Sequence, residues 1–192
     1  MIFNPKIIKT EILSDNWYVL KKITYEYLDH NGIKKNQSRE AYDRGNGATI
    51  LLYNIDSRNI ILTRQFRIPT YINGNKDGML IETCAGLLDQ ENPEDCIKRE
   101  TEEETGYKIS KVRKVLEVYM SPGSVTEILH FFIAEYSNDM KINNGGGLEE
   151  EEENIEVLEL DFERSLKMID DGEIRDAKTI MLLQYIKLHQ IL

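Results

Sequence analysis

Positive charge is what this chain is short of: 24 lysines and arginines face 34 aspartates and glutamates, a formal net charge of -10. A general nucleic-acid binder needs a basic footprint, so this balance argues against a nucleic-acid partner. It leaves room for an anionic small molecule, because a divalent cation can reverse the local sign. Cysteine is nearly absent. Cys84 and Cys96 form neither a disulfide framework nor a metal-ligand spacing, and their apolar neighbours point to buried, reduced thiols. No apolar run reaches the length of a membrane span, and "MIFNPKIIKTEILSDN" lacks the layout of a signal peptide. No membrane partner is therefore expected, and the cytoplasm is the expected compartment. Histidine is sparse too: His30, His130 and His189 lie far apart with no nucleophile to pair with, which argues against a serine or cysteine hydrolase. The glycines of "RGNGA" lack a third partner and precede a strand, and no Gly-Lys-Ser/Thr phosphate loop occurs.

What is present suits one folded domain with a small addition, since 192 residues with 41% hydrophobic and 30% charged side chains can build a sizeable core. "NWYVLKKITYEYLDHNGIKKNQSREAY" carries aromatic and β-branched residues on both sides of Asn31-Gly32, a hairpin signal. Residues 1–44 are expected to form a β subdomain whose open edges suit a partner subunit, with the main domain over 45–192. "ATILLYN" and "NIILTRQF" predict a buried hairpin, "YINGNKDG" a polar loop, and "MLIETCAG" one short run. Asn92 as N-cap, Pro93 at the first helical position, and Gly106 as a stop predict a helix between them. "KVLEVYM", "TEILHFFIAEY" and "IEVLELDF" predict further strands, and "ERSLKMID" a short helix. "DAKTIMLLQYIKLHQ" predicts a closing helix with Ala177, Ile180, Met181 and Leu188 on its apolar face, widened by Leu182 to Ile186. This order of elements reads as α+β.

The chemistry concentrates in acid. "RETEEETG", residues 99–106, puts Glu100, Glu103 and Glu104 in one helical sector. Like charges one turn apart destabilise a helix by about 0.2–0.5 kcal/mol per pair, and Arg99 offsets part of this through Glu103 at i,i+4. Such carboxylates are the hard ligands that Mg²⁺ takes, although their spacing alone also describes a solvated helix face. Glu149 to Glu153, after three glycines, reads by charge alone as a solvated loop. Arg67 in "RQFR" is either a phosphate clamp or a member of a surface ion pair. Trp17 is either a stacking surface for a base or subdomain core. Asp176 is placed to cap the closing helix.

From Ala85 to Tyr107, "AGLLDQENPEDCIKRETEEETGY" resembles the signature of the Nudix hydrolases. Arg99, Glu100, Glu103, Glu104 and Gly106 match position by position, with Glu91 upstream. The loop from Gly86 to Glu91 is one residue shorter than usual, and Thr101 stands where an aliphatic is common. The resemblance implies an α/β/α sandwich around a mixed sheet, here with the N-terminal β-rich subdomain added. It implies Mg²⁺ held by Glu100, Glu104 and the backbone carbonyl of Ala85, with Glu103 a further or water-mediated ligand and Arg99 orienting the glutamates. It also implies a catalytic glutamate on the loop before "IEVLEL". Counting back from Ile155 gives Glu153 as base and metal ligand, then Glu152 and Glu151.

The stretches "YDRGNGATILLYN", "AGLLD", "YMSPG", "HFFIAEYS" and "GEIRDAKT" are similar to the nucleotide-sugar branch of this family. The substrate so implied is GDP-mannose, cleaved to GMP and mannose 1-phosphate. The alternative is ADP-ribose, giving AMP and ribose 5-phosphate, because Pro122 falls where that branch carries a proline. A non-catalytic nucleotide-binding module is the reading of another class, and the intact glutamates argue against it. Substrate contacts carried over by resemblance are Arg67, Ala85, Gly86, Leu87 and Glu104. Glu127, Glu152, Glu153, Asp176 and Lys178 join them. Trp17, Ser38, Arg39 and Glu40 would serve the neighbouring site of a homodimer that exchanges N-terminal strands.

Overall fold

Asn31-Gly32 turns the chain as its sequence predicts. Asp29 accepts from the backbone N–H groups of Asn31 and Ile33, and Gly32 takes a positive φ of 77° that its missing Cβ permits. The turn joins two strands of an antiparallel sheet of three, β1 (Lys6–Asp15), β2 (Val19–Leu28) and β3 (Lys34–Asp43), in that order. Leu28 pairs with Lys34 beside the turn and Val19 with Asp43 at the far end, without a register shift. β1 is irregular, with shifts near Ile7 and Ile12.

The computed structural model describes residues 5–148, 150 and 153–192. They divide into two units, Met1–Asn46 with Tyr119–Ile128, and Gly47–Val118 with Leu129–Leu192. The first unit thus combines the N-terminal sheet with a later loop. Tyr42 donates its N–H to Ser124 and accepts from Thr126, while Thr126 Oγ1 donates to Asp43.

The second unit is built on a mixed sheet with strand order β10-β5-β4-β9-β8. These strands are β4 (Gly47–Tyr53), β5 (Asn59–Phe66), β8 (Arg113–Tyr119), β9 (Ile128–Glu135) and β10 (Glu156–Asp161). β4 runs parallel to β9 and antiparallel to β5. Gly47 to Leu52 are all buried, as befits a central strand covered on both faces. Its side chains alternate. Ala48, Ile50 and Leu52 join Ile97 of helix α2 (Pro93–Thr105) in one core, whereas Thr49 reaches Thr83 and, through it, Thr179 of helix α4 (Ala177–Leu188). Helices on both sides of a mixed sheet make the expected α+β sandwich.

Several local expectations change. The hairpin of β4 and β5 is paired only at Leu52–Ile61 and Tyr53–Ile60. Beyond that point the two strands part, and "MLIETCAG" fills the gap as two strands rather than one. β6 (Met79–Glu82) pairs with β5, and β7 (Cys84–Leu87) pairs with β4. The "YINGNKDG" segment holds the end of a short helix, α1 (Ile68–Ile72), with Pro69 in its first turn. α3 (Phe162–Asp170) matches its expected place. α4 buries Thr179, Leu182, Leu183 and Ile186, leaving Ala177 and Leu188 exposed. It is apolar nearly all round, so spacing alone could not choose the buried face. Both cysteines are buried free thiols, as expected.

Candidate active site

The acidic helix is set by its ends. Asn92 Oδ1 accepts from the N–H groups of Glu94 and Asp95 at 3.1 and 3.0 Å, Pro93 needs no partner, and Gly106 closes the helix at φ 79°. The shortened loop before it turns tightly. Glu91 N–H donates to Leu88 at 2.7 Å, with Asp89 in the left-handed region that aspartate tolerates. On the buried face of α2, Ile97, Thr101 and Glu104 follow one another. Thr101 replaces an aliphatic without leaving a buried donor, because its hydroxyl donates to the Ile97 carbonyl.

That register takes Glu104 into the interior. It is 2% exposed, and its Oε2 has no hydrogen-bond partner among the described residues. Burial pushes its pKa up to about 8; Glu100 and Glu153 add to the rise, while a hydrogen bond with the Cys84 thiol and the charge of Arg67 oppose it. Burial likewise raises Glu100 to about 7, with Arg99 working against the rise and Glu103 and Glu153 for it. Arg99 gathers the remaining acids. It reaches Glu91 at 3.2 Å, Glu100 at 3.0 Å and Glu103 at 2.7 Å. Its guanidinium pKa ends above normal because Glu100 and Glu103 outweigh the opposing effect of burial.

Gly86, in β7, lies where a Cβ would run into the Glu100 carboxyl, so the glycine makes room for the acid. The glycines before the second acidic run have a comparable purpose. Gly145, Gly146 and Gly147 all take positive φ. Gly146 and Gly147 donate their N–H groups to the carbonyls of Glu104 and Glu103 at 2.9 and 3.2 Å, satisfying the end of α2. The same turn holds Glu153, whose Oε2 accepts from Leu148 N–H at 3.1 Å. The glycines that precede the second acidic run are therefore anchored to the acidic helix.

A profile of the Nudix domain matches residues 43–183, most of the chain. The chain belongs to the Nudix hydrolase family. A second profile, the GDP-mannose pyrophosphatase NudK N-terminal domain, matches residues 4–42. The protein is 58% identical over 181 residues to the "GDP-mannose pyrophosphatase" of Salmonella typhimurium, covering 94% of each chain. It is 57% identical to the protein of that name from Yersinia enterocolitica, over 96% of each chain. For the one from Klebsiella pneumoniae, identity is 56% over 97% of this chain and 93% of the relative. The crystal structure of an ADP compounds hydrolase aligns with TM-score 0.69, over 96% of this chain and 95% of its own. At 17% identity it speaks for the fold alone.

Nudix hydrolases generally use a divalent metal. Among the described residues, no three carboxylate, imidazole or thiol side chains converge closely enough to hold one. Arg99 instead pairs with Glu100 and Glu103, at 3.0 and 2.7 Å. The donors nonetheless fit a hard cation. They are carboxylate oxygens, and the orphaned Oε2 of Glu104 is a buried acceptor with nothing to accept.

The other expected contacts fall in several places. Ala85, Gly86 and Leu87 form β7 beside β4. Arg67 follows β5, Asp176 caps α4 and Lys178 lies in its first turn; Arg67 and Lys178 meet at Glu82, which the sequence reading missed, and Lys178 also pairs with Asp176. The clue was a lone carboxylate inside "MLIETCAG". Asp176 also caps α4, accepting from Thr179 N–H at 3.0 Å. In the first unit, Trp17 is 83% exposed and stacks on Tyr18, so it is not core there. Ser38 Oγ hydrogen-bonds Thr24, Arg39 donates to the Ser38 carbonyl, Glu40 lies opposite Lys22, and Glu127 is 3.7 Å from Arg44. Glu149, Glu151 and Glu152 lie outside the described residues.

Proposed function

We propose that the protein hydrolyses the pyrophosphate bond of a nucleotide sugar with Mg²⁺, its substrate being GDP-mannose and its products GMP and mannose 1-phosphate. The observation that carries the hydrolytic reading is Glu104. A binding module gains nothing from a buried carboxylate whose second oxygen has no partner among the described residues. The substrate is inferred from relatives named GDP-mannose pyrophosphatase that match this chain nearly end to end.

Glu100, Glu104 and the Ala85 carbonyl would hold Mg²⁺, which when bound neutralises pyrophosphate charge and acidifies water. Arg99 keeps Glu100 and Glu103 turned to one side of the helix. Glu153, whose carboxylate accepts from Leu148 N–H, is positioned to take the proton from the attacking water, with Glu152 the next candidate. Arg67, held by Glu82, binds a phosphate oxygen.

The N-terminal strands are proposed to mediate a homodimer in which Trp17, Ser38, Arg39 and Glu40 complete the neighbouring site. Supporting this, Ile7, Ile8, Ile12, Leu13 and Trp17 are exposed. We assign the protein to the cytoplasm; among the described residues no helix is long and apolar enough to cross a membrane.

Incubation with GDP-mannose or ADP-ribose and Mg²⁺, with products resolved by phosphorus NMR, tests the assignment. GMP and mannose 1-phosphate should accumulate at least about tenfold faster than AMP, a discrimination worth about 1.4 kcal/mol. Comparable turnover of ADP-ribose overturns the substrate choice. Glu104→Gln should abolish turnover while the protein stays folded.

A further inference from the structure

We propose that Glu82 is a positioning residue that aims the guanidinium of Arg67 at the pyrophosphate of the substrate. This rests on the nucleotide-sugar reading above. Glu82 is 3% exposed and sits at the end of β6, where β4 and β5 have parted. Its backbone is held opposite Thr63, whose Oγ1 donates to the Glu82 carbonyl at 3.3 Å. The next residue, Thr83, donates its N–H to Thr179 Oγ1 at 2.7 Å, fixing this corner to α4.

The carboxylate then faces two cations, one per oxygen. Arg67 Nε donates to Oε2 at 2.8 Å, and Lys178 Nζ donates to Oε1 at 2.5 Å. Lys178 is only 12% exposed and also lies 3.1 Å from Asp176, so its charge is enclosed by acids. Arg67 is different. Its side chain is 40% exposed, and beyond Nε no nitrogen of its fork has a partner among the described residues. Its backbone is held on both sides: the N–H donates to Gly78, and the carbonyl accepts from Thr70 and Tyr71. An arginine pinned at its backbone and at Nε presents its two terminal nitrogens in one orientation. Those parallel donors match two phosphate oxygens.

Glutamine cannot replace Glu82. Its amide offers one acceptor oxygen where two cations each need one, so either orientation sets NH₂ against a donor. Arg67→Lys fails in another way, because an ammonium has no Nε to anchor while two further nitrogens point outward.

Calorimetric titration with inorganic pyrophosphate in excess Mg²⁺, beside steady-state kinetics on GDP-mannose, tests the proposal. Glu82→Gln should weaken pyrophosphate binding and raise KM about tenfold, with kcat within about twofold of the parent. On an Arg67→Ala background the same change should add less than about twofold, because the two residues act as one. Unchanged pyrophosphate affinity, additive losses, or a fall in kcat alone would overturn the proposal. If Glu82→Gln does not fold, Arg67→Lys decides: about a tenfold loss of pyrophosphate affinity supports the pinned fork, and no loss removes it. If GDP-mannose is not cleaved but pyrophosphate binding still depends on Glu82, the substrate assignment fails and the positioning role stands.

Discussion

In its proposed role, Glu104 carries opposed demands from folding and from catalysis. Its raised pKa means the metal-free fold prefers the protonated acid. That preference is complete below the ordinary value of 4.5 and is lost as pH rises through about 8. Ionised Glu104 should thus weaken the metal-free protein by a few kcal/mol near pH 8 and hardly at all near pH 5. Calorimetry in chelator should find Glu104→Gln more stable than the parent at pH 8, with the gap closing at pH 5. An equal gap at both values would mean that the buried charge is not the cause. Glu102 provides the contrast, being partly exposed and 3.6 Å from Lys108. Glu102→Gln should leave kcat and Tm nearly unaltered, as an exposed pair contributes about 0–1 kcal/mol. Glu104 was legible from register against Gly106. Glu82 was not, because its partners Arg67 and Lys178 come from distant elements that only the folded chain brings together.

At the scale of elements, the two ends of α2 have separate duties. Asn92→Ala should remove about 1 kcal/mol of stability, lowering Tm by about 2–4 °C in scanning calorimetry while kcat holds. Gly147→Ala should act the other way round. The substitution forces a side chain to φ 82° and into Glu153, so kcat should fall at least about tenfold with a destabilisation of only about 1–2 kcal/mol. A Gly147→Ala enzyme with normal kcat would free Glu153 from any catalytic duty. The start of α2 was readable because an Asn-Pro cap is local, and Gly106 marked its stop. The contribution of Gly146 and Gly147 was hidden, since a carbonyl cap supplied across the fold leaves no periodic trace. The division of "MLIETCAG" into β6 and β7 was hidden for a related reason: the parting of β4 from β5 that requires it is a property of the sheet.

At the scale of the whole molecule, the proposed exchange of N-terminal strands can be tested by complementation. Arg39→Ala and Glu104→Gln should each be nearly inactive alone. Unfolded and refolded together, they should recover about a quarter of parental activity, because half of random dimers are mixed and each mixed dimer has one intact site. No recovery would place Arg39 outside the neighbouring site or the pair outside a dimer. The carbonyls that end α2 receive their donors from Gly146 and Gly147, far downstream in the chain. During synthesis, then, the acidic helix emerges from the ribosome well before the residues that finish it. Until that later stretch is translated, the last carbonyls of the nascent helix must turn to water for the donors that Gly146 and Gly147 later supply.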